Sequence, residues 1–343
     1  MTTIRIRPTS EAMQEAQTGT HYLPEDDHLL LHADPGRREA VTFLSDGGLH
    51  LAGHLYRPPT VSPGQVTAGI VMCGPISSVK EQTLPHYAER LADAGYTVLT
   101  FDSRNYGESE GMPRHHYDPN RVIADYSNAV SYLLSRDDID SERVGVVGVC
   151  MGGGYAISTA ALDKRIKAVA SVAGGYNIGG TFQRMMGAEG FARYQAQINA
   201  LHARQLATGE VQYIPTIARQ LSAEIPLAVM PNEEAYSYYD RTSRTDAPNW
   251  LPNTMTVTSL EPYYIYNAIV HAPLVAPTPL LLVHGTTDFF LLPEYAQQVY
   301  DAASGPKELV WIETHNHIEL YDQDPYVTQA VQSIITWLAV HLQ

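Results

Sequence analysis

The segment with the most chemical capacity is Gly148-Val149-Cys150-Met151-Gly152. A G-x-nucleophile-x-G pattern between a strand and a helix sets its central residue on a sharp, strained turn. Glycines two positions before and after leave room for close packing around that turn. The run 143–147 reads as a strand, and a helix is predicted to start near Gly153. A thiol at a helix N-terminus is biased toward thiolate. Cys150 is therefore the candidate nucleophile. The alternative, a small buried hydrophobe beside a glycine turn, is weaker in this strand–turn–helix context.

A nucleophile needs a base, and the base needs a group to orient it. Chain order nucleophile, acid, histidine is one known arrangement. His284-Gly285-Thr286-Thr287-Asp288 follows a strand signal and places Asp288 in the next loop. After a further strand comes Glu313-Thr314-His315-Asn316-His317. His317 is the first choice for the base, with His315 as its alternative. Asp288 is expected to hold the imidazole tautomer. Charge on a tetrahedral intermediate calls for backbone donors. Met151 N–H is one candidate, and Ile76 N–H is the other, because Pro75 in the loop Cys73-Gly74-Pro75-Ile76-Ser77-Ser78 has none. Ser77, Tyr176, Tyr239 and Tyr264 are candidate substrate contacts. His115-His116 lacks a neighbouring ligand cluster and reads as an exposed loop pair. Asp102 and Arg104 read as braces between loops.

These residues need a scaffold. Strand signals at 41–44 and 49–56 flank Ser45-Asp46-Gly47-Gly48, a hairpin signature. Compact apolar runs at 68–72, 96–101, 143–149, 166–173, 280–283 and 308–312 alternate with helical patterns at 86–94, 123–134, 155–162, 294–303 and 327–341. That rhythm predicts an α/β fold, a mostly parallel eight-stranded sheet with helices on both faces. The rhythm stops over 176–278, where short helical pieces, prolines and tyrosine clusters suggest a helical cap. The expected organisation is an arm at 1–37, a core at 38–175 and 279–343, and a cap at 176–278.

Composition narrows the classes. The 343 residues carry 22 Lys and Arg against 37 Asp and Glu, a net charge of −15. No basic footprint for nucleic acid follows from that, and anionic membrane surfaces should repel it. No apolar run suits a membrane span or a signal peptide. Two cysteines, Cys73 and Cys150, cannot build a disulfide framework. A cytoplasmic protein is expected. No P-loop, dinucleotide fingerprint or metal-ligand cluster is found, so neither a cofactor nor a metal is expected.

Taken together, the chain resembles the α/β-hydrolase superfamily, and within it the dienelactone hydrolase-like branch with a Cys nucleophile. The resemblance runs from about Val41 to the C-terminus. It rests on Val79-Lys80-Glu81-Gln82, Phe101-Asp102-Ser103-Arg104-Asn105-Tyr106-Gly107-Glu108-Ser109-Glu110-Gly111, and Gly148-Val149-Cys150-Met151-Gly152-Gly153-Gly154-Tyr155-Ala156. It also includes Asp163-Lys164-Arg165-Ile166-Lys167-Ala168-Val169, the His284-Gly285…Asp288 loop and His317-Ile318-Glu319-Leu320-Tyr321-Asp322. In that branch the histidine before the Leu-Tyr-Asp segment is the catalytic one, which favours His317. The branch includes bacterial hydrolases and fungal polyketide transferase-type proteins. Dienelactone hydrolase carries a Glu in the loop after its third strand, whereas residues 73–78 here contain no acid. The 176–278 insertion is also larger than that enzyme needs. Both departures argue against a dienelactone substrate.

The expected reaction is attack of Cys150 on an ester, thioester or activated carbonyl of a small-molecule or carrier-bound acyl substrate. Hydrolysis is the first reading. Acyl transfer or cyclisation in secondary metabolism is the alternative, and a non-catalytic binding module is the third. The sequence leaves the acyl group, the acceptor and the oligomeric state open.

Overall fold

The computed structural model describes residues 30–62 and 64–343. Most of the expected arm, residues 1–29, lies outside the described residues. Its final stretch rests on the C-terminal part of the chain, where Leu31 N–H donates to Asp322 O at 2.8 Å.

Eight strands form one sheet: β1 (Arg38–Ser45), β2 (Leu49–Tyr56), β3 (Thr67–Cys73), β4 (Thr97–Phe101), β5 (Ile139–Val149), β6 (Ala168–Val172), β7 (Leu280–Gly285) and β8 (Lys307–Ile312). Their order is β1-β2-β4-β3-β5-β6-β7-β8. β2 runs antiparallel to both β1 and β4, and every other pairing is parallel. The hairpin between β1 and β2 turns through Gly47 and Gly48, both at positive φ. β3, β4, β6 and β7 are buried along their whole length. Such strands need mostly apolar side chains on both faces, which is why they appear in sequence as compact, largely apolar runs.

Helices cover both faces. α1 (Leu84–Asp93) and a C-terminal helix (Tyr326–His341) pack together on one side. α2 (Pro119–Leu134) and α3 (Met151–Leu162) pack together on the other. The C-terminal helix buries Val327, Ala330, Val331, Ile334, Trp337 and Leu338. That three- and four-residue spacing puts one stripe against the sheet.

Two element boundaries differ from the sequence reading. α3 starts at Met151, directly after Cys150, and runs through Gly152, Gly153 and Gly154. Close approach of neighbouring backbone, described below, outweighs the low helix propensity of three glycines. The connection from β6 to β7 also contains more than short helical pieces. α4 (Ile178–Thr208) is 31 residues long, broken only at Gly187, where φ is 69°. Its glycines and mixed polarity erase the apolar stripe that would have announced it. α5 (Glu233–Arg244), a five-residue α6 (Leu260–Tyr264) and two pairs of two-residue strands complete the connection. After β7 come α7 (Pro293–Ala302) and the short α8 (Glu319–Asp322), so the C-terminal helix is α9. No helix among the described residues is long and apolar enough to cross a membrane.

Candidate active site

Cys150 sits between the end of β5 and the first residue of α3, at φ 58° and ψ −126°. A non-glycine residue at positive φ is a strained conformer held by its surroundings. Those surroundings are visible at the neighbouring glycines. A Cβ on Gly148 would lie 1.9 Å from Gly152 O, and one on Gly152 would lie 2.0 Å from Cys73 O. Cys150 N–H donates to Val172 O at 2.9 Å, and Cys150 O accepts from both Gly153 N–H and Gly175 N–H. The turn is thus clamped between β3, β6 and its own helix.

The same contacts bring the loop after β3 against the turn. Gly152 N–H donates to Gly74 O at 3.0 Å. The N–H groups of Met151 and Ile76 have no hydrogen-bond partner among the described residues. Met151 N–H belongs to the first turn of α3, where helix donors have no internal acceptor. Ser77 follows at φ 59°, and its hydroxyl is buried without a hydrogen-bond partner among the described residues.

The loops after β7 and β8 supply a histidine and a carboxylate. His317 Nδ1–H donates to Asp288 Oδ2 at 2.6 Å, and both side chains are buried. Asp288 Oδ1 accepts from the N–H groups of Phe290 at 2.9 Å and Leu291 at 2.7 Å, which fixes the carboxylate plane. With Nδ1 committed to Asp288, Nε2 is the free basic nitrogen of a neutral ring. The Cys150 thiol lies close enough to that ring to favour its charged form. Burial opposes the charged ring, but Asp288 and Cys150 outweigh it and hold His317 well above the ordinary histidine range. His315 has another environment: its side chain is 74% exposed and its Nδ1 pairs with Glu319 at 3.1 Å. The structure therefore brings Cys150, His317 and Asp288 together and leaves His315 outside.

The tyrosines chosen as substrate contacts separate. Tyr239 comes down from α5, donates its hydroxyl to Ile76 O at 2.7 Å, and faces Ser77 and Cys150. Tyr264 packs among Phe182, Phe191 and Tyr194 within the β6–β7 connection. Tyr176 bonds Ser171 Oγ at 2.8 Å and packs near His284, so its hydroxyl is already engaged in the core. Tyr263, part of a tyrosine cluster but not chosen as a substrate contact, lies near Cys150. The His115-His116 pair corrects the expectation of an exposed loop. His115 is buried, stacks on Tyr106, and bonds Thr254, while His116 bonds Thr256. The two rings tie the loop after β4 to the β6–β7 connection.

Three residues with clear roles in the geometry had no such role in the sequence reading. Glu234, at the start of α5, accepts the N–H groups of His317 at 2.6 Å and Ile318 at 3.0 Å on one oxygen. Tyr321 stands one helical turn beyond His317, with its hydroxyl 3.0 Å from His317 Nε2. Lys80 is buried and pairs with Glu81 at 2.8 Å, Asp102 at 3.0 Å and Glu108 at 2.6 Å. His54, Glu81 and Glu108 could share a cation, but the Lys80 ammonium already occupies the two carboxylates. Asp102 and Arg104 brace loops as expected, Asp102 through Lys80 and Arg104 through Asp125.

A β2-reversed eight-stranded sheet with a strained residue between β5 and the next helix defines an α/β-hydrolase fold. Residues 80–324 match the family model described as serine aminopeptidase, S33. The thiohydrolase aneE of Aspergillus aculeatus is 33% identical over 286 residues, covering 81% of this chain and 85% of aneE. The polyketide transferase claH of Penicillium crustosum is 27% identical over 79% of this chain and 87% of claH. The crystal structure of the α/β-hydrolase GrgF from Penicillium sp. sh18 aligns with TM-score 0.74 at 22% identity, covering 89% of this chain and 99% of GrgF. The chain belongs to the serine aminopeptidase S33 family of α/β-hydrolases. It is an enzyme of the hydrolase or acyltransferase type, with cysteine at the turn position between β5 and α3.

Proposed function

We propose that the protein is a cysteine-dependent α/β-hydrolase of the dienelactone hydrolase-like branch, acting on an ester, thioester or activated carbonyl of a small acyl substrate. The observation that carries this reading is the buried His317–Asp288 pair facing a thiol held at positive φ. Cys150 attacks the carbonyl carbon and a C–S bond forms. Met151 and Ile76 N–H groups take the oxyanion, which is where such donors act most strongly. The leaving group departs with the proton held on His317 Nε2. Water then gives its proton back to His317, its oxygen bonds the carbonyl carbon, and the C–S bond breaks.

Acyl transfer to another acceptor is the second reading. Cys150 is only 3% exposed, and residues 176–278 act in this reading as a cap that keeps water away from the thioester. The relationship to a polyketide transferase and to a thiohydrolase fits either outcome. Tyr239 and Ser77 are the proposed substrate contacts nearest the thiol. Two buried, unpaired cysteines suit a reducing compartment, and we place the enzyme in the cytoplasm. Product analysis with a panel of acyl thioesters, with and without a hydroxyl or amine acceptor, separates the readings. Free acid in every case supports hydrolysis; acyl product with the acceptor supports transfer. Full turnover by Cys150→Ala would overturn both.

A further inference from the structure

Two side chains of the histidine loop, His317 and Tyr321, stand near the thiol. Tyr321 lies on α8, four residues after His317, so a single helical turn stacks the two side chains. Their rings meet edge to face at 5.0 Å and 71°. The Tyr321 hydroxyl is 3.0 Å from His317 Nε2, on the side of the histidine loop that neighbours the Cys150 thiol. The ring is held from behind by Tyr238, edge to face at 4.8 Å. Tyr238 is itself pinned through its hydroxyl to Thr83 N–H at 2.8 Å and Thr83 Oγ1 at 2.7 Å. The phenol therefore has little freedom to leave the thiol.

Among the described residues, the titratable side chains near the thiol include five. His317 and Tyr321 come from the histidine loop, Tyr239 and Tyr263 from the β6–β7 connection, and Cys73 from β3. Tyr239 has its hydroxyl proton committed to Ile76 O. Among these tyrosines, Tyr321 is the one whose hydroxyl stands 3.0 Å from His317 Nε2.

Resting on the assignment of Cys150 as nucleophile, we propose that Tyr321 is a further catalytic residue that donates its phenolic O–H to the Cys150 thiolate. In the neutral state the Tyr321 O–H turns to His317 Nε2, the lone-pair nitrogen. When the S–H proton moves to Nε2, the thiolate gains two donors, Nε2–H and the phenol. The phenol proton stays on its oxygen throughout, so the proton balance of acylation is unchanged. Burial, with Cys150 and Tyr239 adding to it, keeps the phenol far above its ordinary range and so in its donor form. When the thiolate is acylated, this donor is released and returns to Nε2 once that nitrogen has given up its proton.

The test is a pH titration of thiolate ultraviolet absorbance in the full chain. Each protein is read against its own Cys150→Ala counterpart, which removes the Cys73 and tyrosine signals. A hydrogen bond to a charged acceptor is strong enough that Tyr321→Phe should lower the thiolate-to-thiol ratio at neutral pH about tenfold or more. Tyr194→Phe removes a buried hydroxyl that serves Ala228 O within the β6–β7 connection, and should leave that ratio unchanged. Replacing Tyr321 with difluorotyrosine, a stronger donor of similar volume, should raise the ratio. Superimposable titrations for wild type, Tyr321→Phe and the difluorotyrosine protein would overturn the proposal while leaving Cys150 as nucleophile. No Cys150-dependent thiolate signal in wild type would overturn both.

Discussion

Glu234 Oε1 accepts the peptide N–H of His317 at 2.6 Å, so a side chain from the β6–β7 connection sets the backbone of the histidine. Glu234→Ala leaves the N–H groups of His317 and Ile318 buried without an acceptor, at a cost of about 1–3 kcal/mol. Its denaturant midpoint should fall accordingly, and turnover should drop at least tenfold as the imidazole loses its position. Glu234→Gln keeps the acceptor oxygen and should retain most of the activity. Equal activity in Glu234→Ala and wild type would contradict this role.

The same carboxyl has a pH signature. Burial pushes Glu234 up to about 7, against the pull of His317. In the unfolded chain the value is about 4.3. Between the two, the folded state holds the extra proton, so this group's contribution to stability falls as pH rises from about 4.3 to about 7. Unfolding free energies of wild type and Glu234→Gln, followed by chemical denaturation, should therefore diverge across that window, with wild type losing ground. They should run parallel above it. Parallel curves throughout would show that Glu234 ionises in the fold as it does in the open chain.

Gly152 in the turn has no room for a side chain. A Cβ at Gly152 meets Cys73 O at 2.0 Å, a backbone atom that cannot swing aside. Gly152→Ala should displace the loop after β3 from the turn and abolish turnover, with a lower melting temperature. Gly209→Ala is the control for lost glycine alone: that site is also at positive φ, at 75°, but a Cβ there meets nothing within 4 Å. It should cost stability only, about 1 kcal/mol. A fully active Gly152→Ala protein would mean that the clamp does not position Cys150.

Lys80 should matter for stability through the charges it neutralises. Removing one partner of a buried ion pair costs about 3–5 kcal/mol because the other charge stays buried. Lys80→Met leaves Asp102, which is fully buried, facing Glu81 and Glu108 without a cation. Calorimetry should show a large fall in melting temperature. An unchanged transition would mean that the carboxylates relax into water.

Much of this site was legible because it hangs on the sheet. β3 and β5 to β8 each contain a compact apolar stretch, and Cys150, Asp288 and His317 each follow the end of one of them. Loops at strand ends stay near their strands, so sequence position carries over to space. Glu234 had no such tether: it reaches His317 across 83 residues of chain, from a connection without period. His115 and His116 looked exposed because their partners, Thr254 and Thr256, lie about 140 residues further on. α4 stayed hidden because its glycines interrupt a helix with few buried side chains. Tyr176 carries no local sign of its partner, and only the structure reveals that it bonds Ser171 Oγ. Tyr321 was visible as part of the motif after His317, but its closeness to the thiol depends on how β5 and β8 are spaced across the sheet.

The central claim is that Cys150 carries the acyl group. Intact-mass spectrometry of the protein quenched in acid during turnover of an acyl thioester tests it most directly, with peptide mapping to locate the adduct. Wild type should gain the mass of one acyl group on Cys150, and His317→Ala should acylate at least a hundredfold more slowly. His315→Ala should behave as wild type, because its side chain points into solvent. Turnover with no adduct on Cys150, or full acylation of that residue in His317→Ala, would contradict the mechanism.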